Sequence, residues 1–284
     1  MSFSLERMAQ VVKNNAAVDL KSAVRDHWQR EPCGSRNIPN LDRRVFFDRI
    51  EHERYRLEPY IPAFARFPEG QSKKVLEIGI GAGTDFINWV RHGAQAIGVD
   101  LTKQGVDLTK ERLNLEGLAA NLQVADAEEL PFADQSFDLV YSYGVLHHSP
   151  DTSKAIREVH RVLKPGGSAR IMIYHAHCWV GFMLWGVHCL AKVKPWKSAR
   201  WAIYNYLESP GTKAYTKAEA HELFSSFSQT KIRTQLSHGD LLMLGPYQRR
   251  SGWHHKLALA IYPRWAIKLI GNNFGMAMFI EAVK

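Results

Sequence analysis

Three glycines alternate through 79-GIGAG-83, directly after the apolar run 74-KVLEI-78. Glycine takes backbone conformations and close approaches that side chains forbid. A strand that runs into such a turn reads as a ligand cradle. Asp100 closes a second apolar run, 94-AQAIGVDL-101, where a carboxylate can accept hydrogen bonds from both hydroxyls of a ribose. Asp126, Ala127 and Glu128 close a third, NLQVADA; a carboxylate there can accept from an adenine amino group while apolar neighbours pack the ring. The glycine turn holds no Lys or Arg for a phosphate, and its G-x-G-x-G spacing differs from the dinucleotide pattern G-x-G-x-x-G. The implied ligand is a nucleoside without phosphates. Past a fourth run, 137-FDLVYSYGV-145, stand groups able to move a proton: His147 and His148 in VLHHSPD, with Tyr141 and Tyr143 before them. Each has a plainer reading, the histidines as packing for the next helix and the tyrosines as a pocket wall.

The elements that must position these residues alternate. Strands are expected at 74–80, 94–101, 121–127, 137–145 and 168–175. Helices are expected at 84–93, at 102–118 and from Asp151 to Leu163, the last stopped by 164-KPGG-167. That alternation means βαβ units and a mostly parallel sheet. Residues 1–30 read as weakly amphipathic helix, 31–40 as loop, and 41–66 as helix broken near Pro59 and Pro62. Farther on, 217–227 reads as a helix, and 230–239 and 273–284 as strands, with about 33 residues between those two strands.

The composition is that of a globular protein, 45% hydrophobic and 23% charged over 284 residues. Three cysteines, Cys33, Cys178 and Cys189, show no metal spacing, so no metal site is expected and reduced thiols in a cytoplasm fit. The N-terminus does not read as a secretory signal. Residues 1–175 carry 23 Lys+Arg against 23 Asp+Glu. Residues 176–284 carry 14 against 5, and hence the whole net charge of +9, along with six of the eight tryptophans. A neutral catalytic region is thus followed by a basic, aromatic-rich one that meets something acidic or apolar.

Taken together, VLEIGIGAGTDF, GVDLT, ADAEELPFADQSFDLVYSYGVLHHSPD and REVHRVLKPGGSARIMIY, within residues 72–175, resemble the class I S-adenosylmethionine-dependent methyltransferases. The likeness is nearest the ubiquinone- and sterol-type branch. The resemblance implies an α/β, Rossmann-like sheet of seven mostly parallel strands with helices on both faces, the last strand antiparallel and inserted between its neighbours. It implies S-adenosyl-L-methionine as cofactor, with Gly79 and Gly81 beside its methionine portion, Asp100 on the ribose, and Asp126, Ala127 and Glu128 around the adenine. Glu77, Ile80, Gly83 and Leu101 belong to the same cradle, and Tyr143 and Gly144 line the side where the methyl group leaves. N-terminal additions in the family often form a lid, a role open to His27 and Trp28, with Tyr55 and Tyr60 helping. The expected division is residues 1–70 as helical lid, 71–175 as cofactor-binding core, and 176–284 as the rest of the sheet with acceptor-side insertions at 176–212 and 241–272.

Those insertions bear on the acceptor. AHCWVGFMLWGVHCLA (176–191) has no charged residue and is followed by KVKPWK; 249–271 repeats the mix of Trp, basic and aliphatic residues. Sixteen residues are too few to span a bilayer comfortably. Such a segment either roofs an apolar pocket or lies in a membrane interface with its lysines on anionic lipid. The expected acceptor is small and apolar, lipid-like, isoprenoid or a secondary metabolite. The expected location is the cytoplasm, with the inner membrane surface as the alternative. RNA methylation and a non-transferring cofactor-binding role are the competing functions. Nucleic acid is not the expected partner, because the basic residues are interleaved with Leu, Ile, Ala and Trp. The oligomeric state is open.

Overall fold

A computed structural model describes residues 19–30, 42–243 and 262–284. The sequence readings for 1–18, 31–41 and 244–261 lie outside the described residues. Helix α1 spans 19–30. Helices α2 (Arg43–Leu57) and α3 (Ile61–Ala65) follow, and Asp42 starts α2 by accepting from the backbone N–H groups of Arg44 and Val45. The break between α2 and α3 falls at Pro59, where a donor is missing, while Pro62 is tolerated in the first turn of α3.

The core then alternates: β1 (Lys74–Ile78), α4 (Phe86–Arg91), β2 (Gln95–Asp100), α5 (Lys103–Glu116), β3 (Asn121–Val124), β4 (Phe137–Tyr143), α6 (Thr152–Val162) and β5 (Leu163–Tyr174). Local caps fix the helix starts. The Thr102 hydroxyl accepts from Gly105 N–H on α5, and the Asp151 carboxylate accepts from Lys154 N–H on α6. Beyond β5 come α7 (Trp179–Trp185), α8 (Ala199–Tyr206), α9 (Lys217–Leu223), β6 (Gln229–Gln235), α10 (Arg264–Ile270) and β7 (Ala277–Val283).

The seven strands lie in the order β3-β2-β1-β4-β5-β7-β6. β7 runs antiparallel to both β5 and β6, and the other pairings are parallel. This is the sheet the sequence resemblance implies. Alternate residues face opposite layers, as the strand period requires. Val75, Leu139, Tyr141 and Met172 join a core with Phe64, Phe67 and Trp89 on one face. Leu76, Val140 and Ile171 join Ile156 and Val159 of α6 on the other.

Several expected boundaries shift: β3, β6 and β7 are shorter than the runs 121–127, 230–239 and 273–284. β5 starts at Leu163 rather than at residue 168, because Leu163 already pairs with Phe137. Pairing resumes at Leu139 with Ser168, so 164-KPGG-167 loops out within the strand instead of preceding it. The charge-free stretch 176–191 is not one α-helix: α7 gives way to a π turn over Gly186–Leu190. No helix among the described residues is long and apolar enough to cross a membrane.

Candidate active site

Strands β1, β2, β4 and β5 run parallel, so their carboxyl ends open on one edge, where α/β sheets bind ligands. A cavity of about 710 Å³ lies there, bounded by α1 and α2, the glycine turn, the ends of β2, β4 and β5, and the loops after α8 and β6.

The glycine turn forms because nothing else fits its backbone. Gly79, Gly81 and Gly83 have φ of 82°, 52° and 75°, a region L side chains rarely enter. Asp100 locks the turn: its Oδ2 accepts from Gly81 N–H at 2.9 Å and its Oδ1 from Thr102 N–H at 2.9 Å. Glu77, 4% exposed at the end of β1, lines the cavity, and its Oε2 is enclosed with no hydrogen-bond partner. Burial, followed by the nearby Asp85, pushes its carboxyl well above the usual range. A buried acidic oxygen without a partner is costly unless a ligand supplies one.

At the β3 edge, α1 crosses the cavity. Lys21 donates to Asp126 Oδ2 and Glu128 Oε2, each at 2.6 Å. Val24, His27 and Trp28 of the same helix line the cavity, and Trp28 packs edge-on to His148 at 5.3 Å between ring centroids. The N-terminal helix therefore covers the site, and its lysine sits on the carboxylates expected around adenine.

Most expected site residues converge: Glu77, Gly79, Ile80, Gly81, Asp100, Leu101, Asp126, Ala127, Tyr143, Gly144 and His148 all line the cavity. Three do not. Gly83 sits behind the turn, where a Cβ would meet the Thr109 hydroxyl at 2.9 Å. Glu128 is structural, accepting from Asp151 N–H at 2.9 Å as well as from Lys21. His147 points into the protein, because neighbours on the single turn Leu146–His148 face different ways. Its ring packs on Tyr174 at 3.9 Å, both nitrogens are enclosed without partners, and burial pushes its pKa far below the usual value. The expectation that His147 is a base is corrected by this burial.

His148 reaches the cavity, but its Nδ1 lies 2.8 Å from the Ser209 hydroxyl and burial lowers its pKa to about 3. Its Nε2 lies 3.6 Å from the Glu208 carboxylate, so both ring nitrogens face protein groups, the geometry of a wall residue. Tyr141 and Tyr55 are also structural. Both donate to Asp85, at 2.9 and 3.1 Å, and Asp85 is clamped by Arg54 through two hydrogen bonds of 3.0 and 2.6 Å. Nor does 176–191 roof the cavity; the linings from that insertion are Tyr206 and Glu208.

A cluster the sequence reading missed faces the end of β4. Buried Glu58 accepts from Tyr143 Oη at 3.1 Å and Tyr60 Oη at 3.2 Å, with His238 Nδ1 3.7 Å away. Glu208 lies across the cavity, accepting from Tyr174 Oη at 2.9 Å. Burial alone would depress the His238 pKa; Glu58 and Glu208 outweigh it and raise it. Burial alone would raise Glu58, but His238, Arg54 and Tyr143 hold it below its usual range. His238 was findable: it follows β6, whose carboxyl end opens on the same edge as the other parallel strands.

Residues 76–171 match the family model described as a methyltransferase domain. A 101-residue stretch is 42% identical to phthiotriol/phenolphthiotriol dimycocerosates methyltransferase 1 of Mycobacterium ulcerans, covering 35% of this chain and 36% of that one. Over 188 residues the chain is 31% identical to the chloroplastic tocopherol O-methyltransferase of Arabidopsis thaliana, covering 62% of this chain and 54% of that one. The match thus spans between about a third and about half the length of these relatives. Among solved structures, phosphoethanolamine N-methyltransferase 2 of Haemonchus contortus, in complex with S-adenosyl-L-methionine, superposes with a TM-score of 0.58 at 20% identity, over 87% of this chain and 60% of that one. The cradle described above lies within or beside the matched residues, and the chain carries a methyltransferase domain on the fold of the class I S-adenosylmethionine-dependent methyltransferases.

Proposed function

We propose that this protein transfers the methyl group of S-adenosylmethionine to a small apolar acceptor. The observation that carries the reading is the Glu77 carboxylate at the end of β1, lining the cavity beside the glycine turn and Asp100. It suits the ammonium of the cofactor's methionine portion, the one strong donor such a ligand brings to an acidic pocket. Gly79 and Gly81 would flank that portion, Asp100 would take the ribose, and Asp126 and Ala127 the adenine. Bound S-adenosylmethionine supplies an activated methyl on a sulfonium, whose C–S bond breaks with its electron pair left on sulfur.

The chain's own contribution is alignment, water exclusion and a proton acceptor. Helix α1 closes the cofactor side. On the acceptor side, Met172, Met276, Val145 and Trp28 give apolar surface. His238 is the group placed to accept a proton from the acceptor as the methyl arrives. Its Nδ1 is turned to Glu58, which leaves Nε2 for the acceptor. Tyr143, hydrogen-bonded to Glu58, positions rather than reacts. The two relatives named for dimycocerosate and tocopherol methylation support an apolar acceptor, drawn from an apolar phase rather than from bulk water.

Calorimetric titration with S-adenosylmethionine and S-adenosylhomocysteine tests the cofactor half. Micromolar binding of both, lost in Asp100→Ala, is expected; absence of binding would remove the reading. Methyl-labelled cofactor with γ-tocopherol and with crude lipid extract, resolved by product mass, tests the acceptor half. Label confined to water-soluble products would overturn the apolar acceptor.

A further inference from the structure

Of the thirteen large apolar side chains standing exposed among the described residues, nine lie in two short stretches, 182–196 and 265–274. Trp196, Trp265 and Leu269 are 74%, 72% and 78% exposed. Hydrophobic residues scattered singly on a surface need no explanation; a concentration of this kind does. Extended by a few residues, 182–200 and 262–274 also carry Lys192, Lys194, Lys197, Arg200, Arg264 and Lys268, of which Arg200 is paired with Glu219 of α9, and contain no Asp or Glu of their own.

The stretches form one neighbourhood. Phe182 of α7 meets Phe274, just beyond α10, at 6.4 Å between ring centroids. α10 buries Ile267 and turns Trp265 and Leu269 outward. At the far end of α7 the π turn exposes Val187 and Leu190, and the Trp185 indole donates to the Lys197 carbonyl at 2.6 Å, folding the lysine loop back. The patch also adjoins the cavity: His188 of the π turn stacks on Tyr206, a cavity-lining residue, at 3.9 Å.

We infer that this face docks on a bilayer of anionic lipid and holds the acceptor side of the cavity against it. The inference rests on the apolar-acceptor reading only for its purpose; the docking itself is independent of chemistry. Aromatic and aliphatic side chains outward among lysines, with no acidic residue in either stretch, match the two components of interfacial binding, apolar burial and attraction to anionic headgroups. A second copy of the chain is a poorer occupant, because a symmetric contact would set these cations against themselves.

The test is co-sedimentation of the full chain with phosphatidylcholine vesicles and with equimolar phosphatidylcholine/phosphatidylglycerol vesicles, at low and high salt. Retention on the anionic vesicles at least tenfold above the neutral ones, weakened by salt, is expected. Trp196→Asp with Leu269→Glu should abolish it. Lys192→Gln, Lys194→Gln and Lys197→Gln should each weaken it by about fivefold, a second route that spares the apolar packing. Calorimetric S-adenosylmethionine binding should stay unchanged in every variant, which separates failure of this inference from failure of the cofactor reading. No retention on anionic vesicles, or retention indifferent to these variants, would overturn it. So would a dimer, seen by sedimentation velocity without lipid, that the double variant dissolves.

Discussion

Glu77→Gln should change stability and cofactor affinity in opposite directions. The substitution keeps shape and removes charge. In the ligand-free protein that charge is under-compensated: Glu77 is 4% exposed, and burial with Asp85 outweighs the help of Arg54 and the Trp89 indole. Burial, followed by Asp85, raises its pKa, so the folded state binds the proton more tightly than the unfolded chain does. Stability therefore falls as pH rises from the ordinary carboxylate range through the raised folded value, and at neutral pH the wild type carries the penalty. An unsatisfied buried group costs roughly 1–3 kcal/mol. At about 2–4 °C per kcal/mol for a chain near this size, the ligand-free variant should melt on the order of 2–12 °C higher at neutral pH. The gain should shrink toward pH 4, where the wild-type carboxyl is protonated. Bound cofactor reverses the sign. Losing a charged hydrogen bond to the ammonium costs roughly 1.5–3 kcal/mol, or about 10–150-fold in Kd. Scanning fluorimetry over a pH series reads the first effect, and calorimetric titration the second. A variant that melts lower without ligand yet binds S-adenosylmethionine as the wild type does would refute the reasoning at both steps.

Other perturbations address the rest of the site. Gly81→Val should abolish S-adenosylmethionine binding in calorimetry while the far-ultraviolet dichroism is kept, since φ of 52° is strained for a branched side chain. Lys21→Met removes a half-exposed latch worth about 1 kcal/mol, so stopped-flow release of S-adenosylhomocysteine should quicken about fivefold. For His238, held above its usual pKa by Glu58 and Glu208, the alkaline-going limb of the rate profile should sit above the ordinary imidazole value. Glu58→Gln should move that limb down, and imidazole titration by NMR should show the same displacement without an acceptor. His148 has its folded pKa lowered from the ordinary 6.5 to about 3, so stability is full above pH 6.5 and declines as pH falls toward 3. His148→Asn should flatten that decline in denaturant midpoints.

The lining of the cavity at the strand ends was legible because strand ends and turn chemistry are local. A glycine turn after KVLEI, and carboxylates closing the next two strands, are fixed within a few residues of sequence, and Glu77, Gly79, Gly81, Asp100 and Asp126 all reach one cavity. Which way a side chain turns was not legible in the same way. His147 and His148 are adjacent and chemically identical, yet one is sealed against Tyr174 and the other lines the cavity; a single short turn decides this. Contacts between distant segments were illegible altogether. Lys21 meets Asp126 across 105 positions and Tyr143 meets Glu58 across 85. These pairs belong to packing of the N-terminal helices on the sheet edge, which no local pattern encodes. The same asymmetry bears on function. The parts proposed to hold the cofactor come from the repeating βαβ core, a scaffold that serves many purposes. The parts that we propose to select and deprotonate an acceptor come from Glu58 before the sheet, Glu208 after α8 and His238 after β6. On that proposal specificity resides in segments added around a common cradle, and the basic, tryptophan-bearing surface beside Tyr206 is one of them.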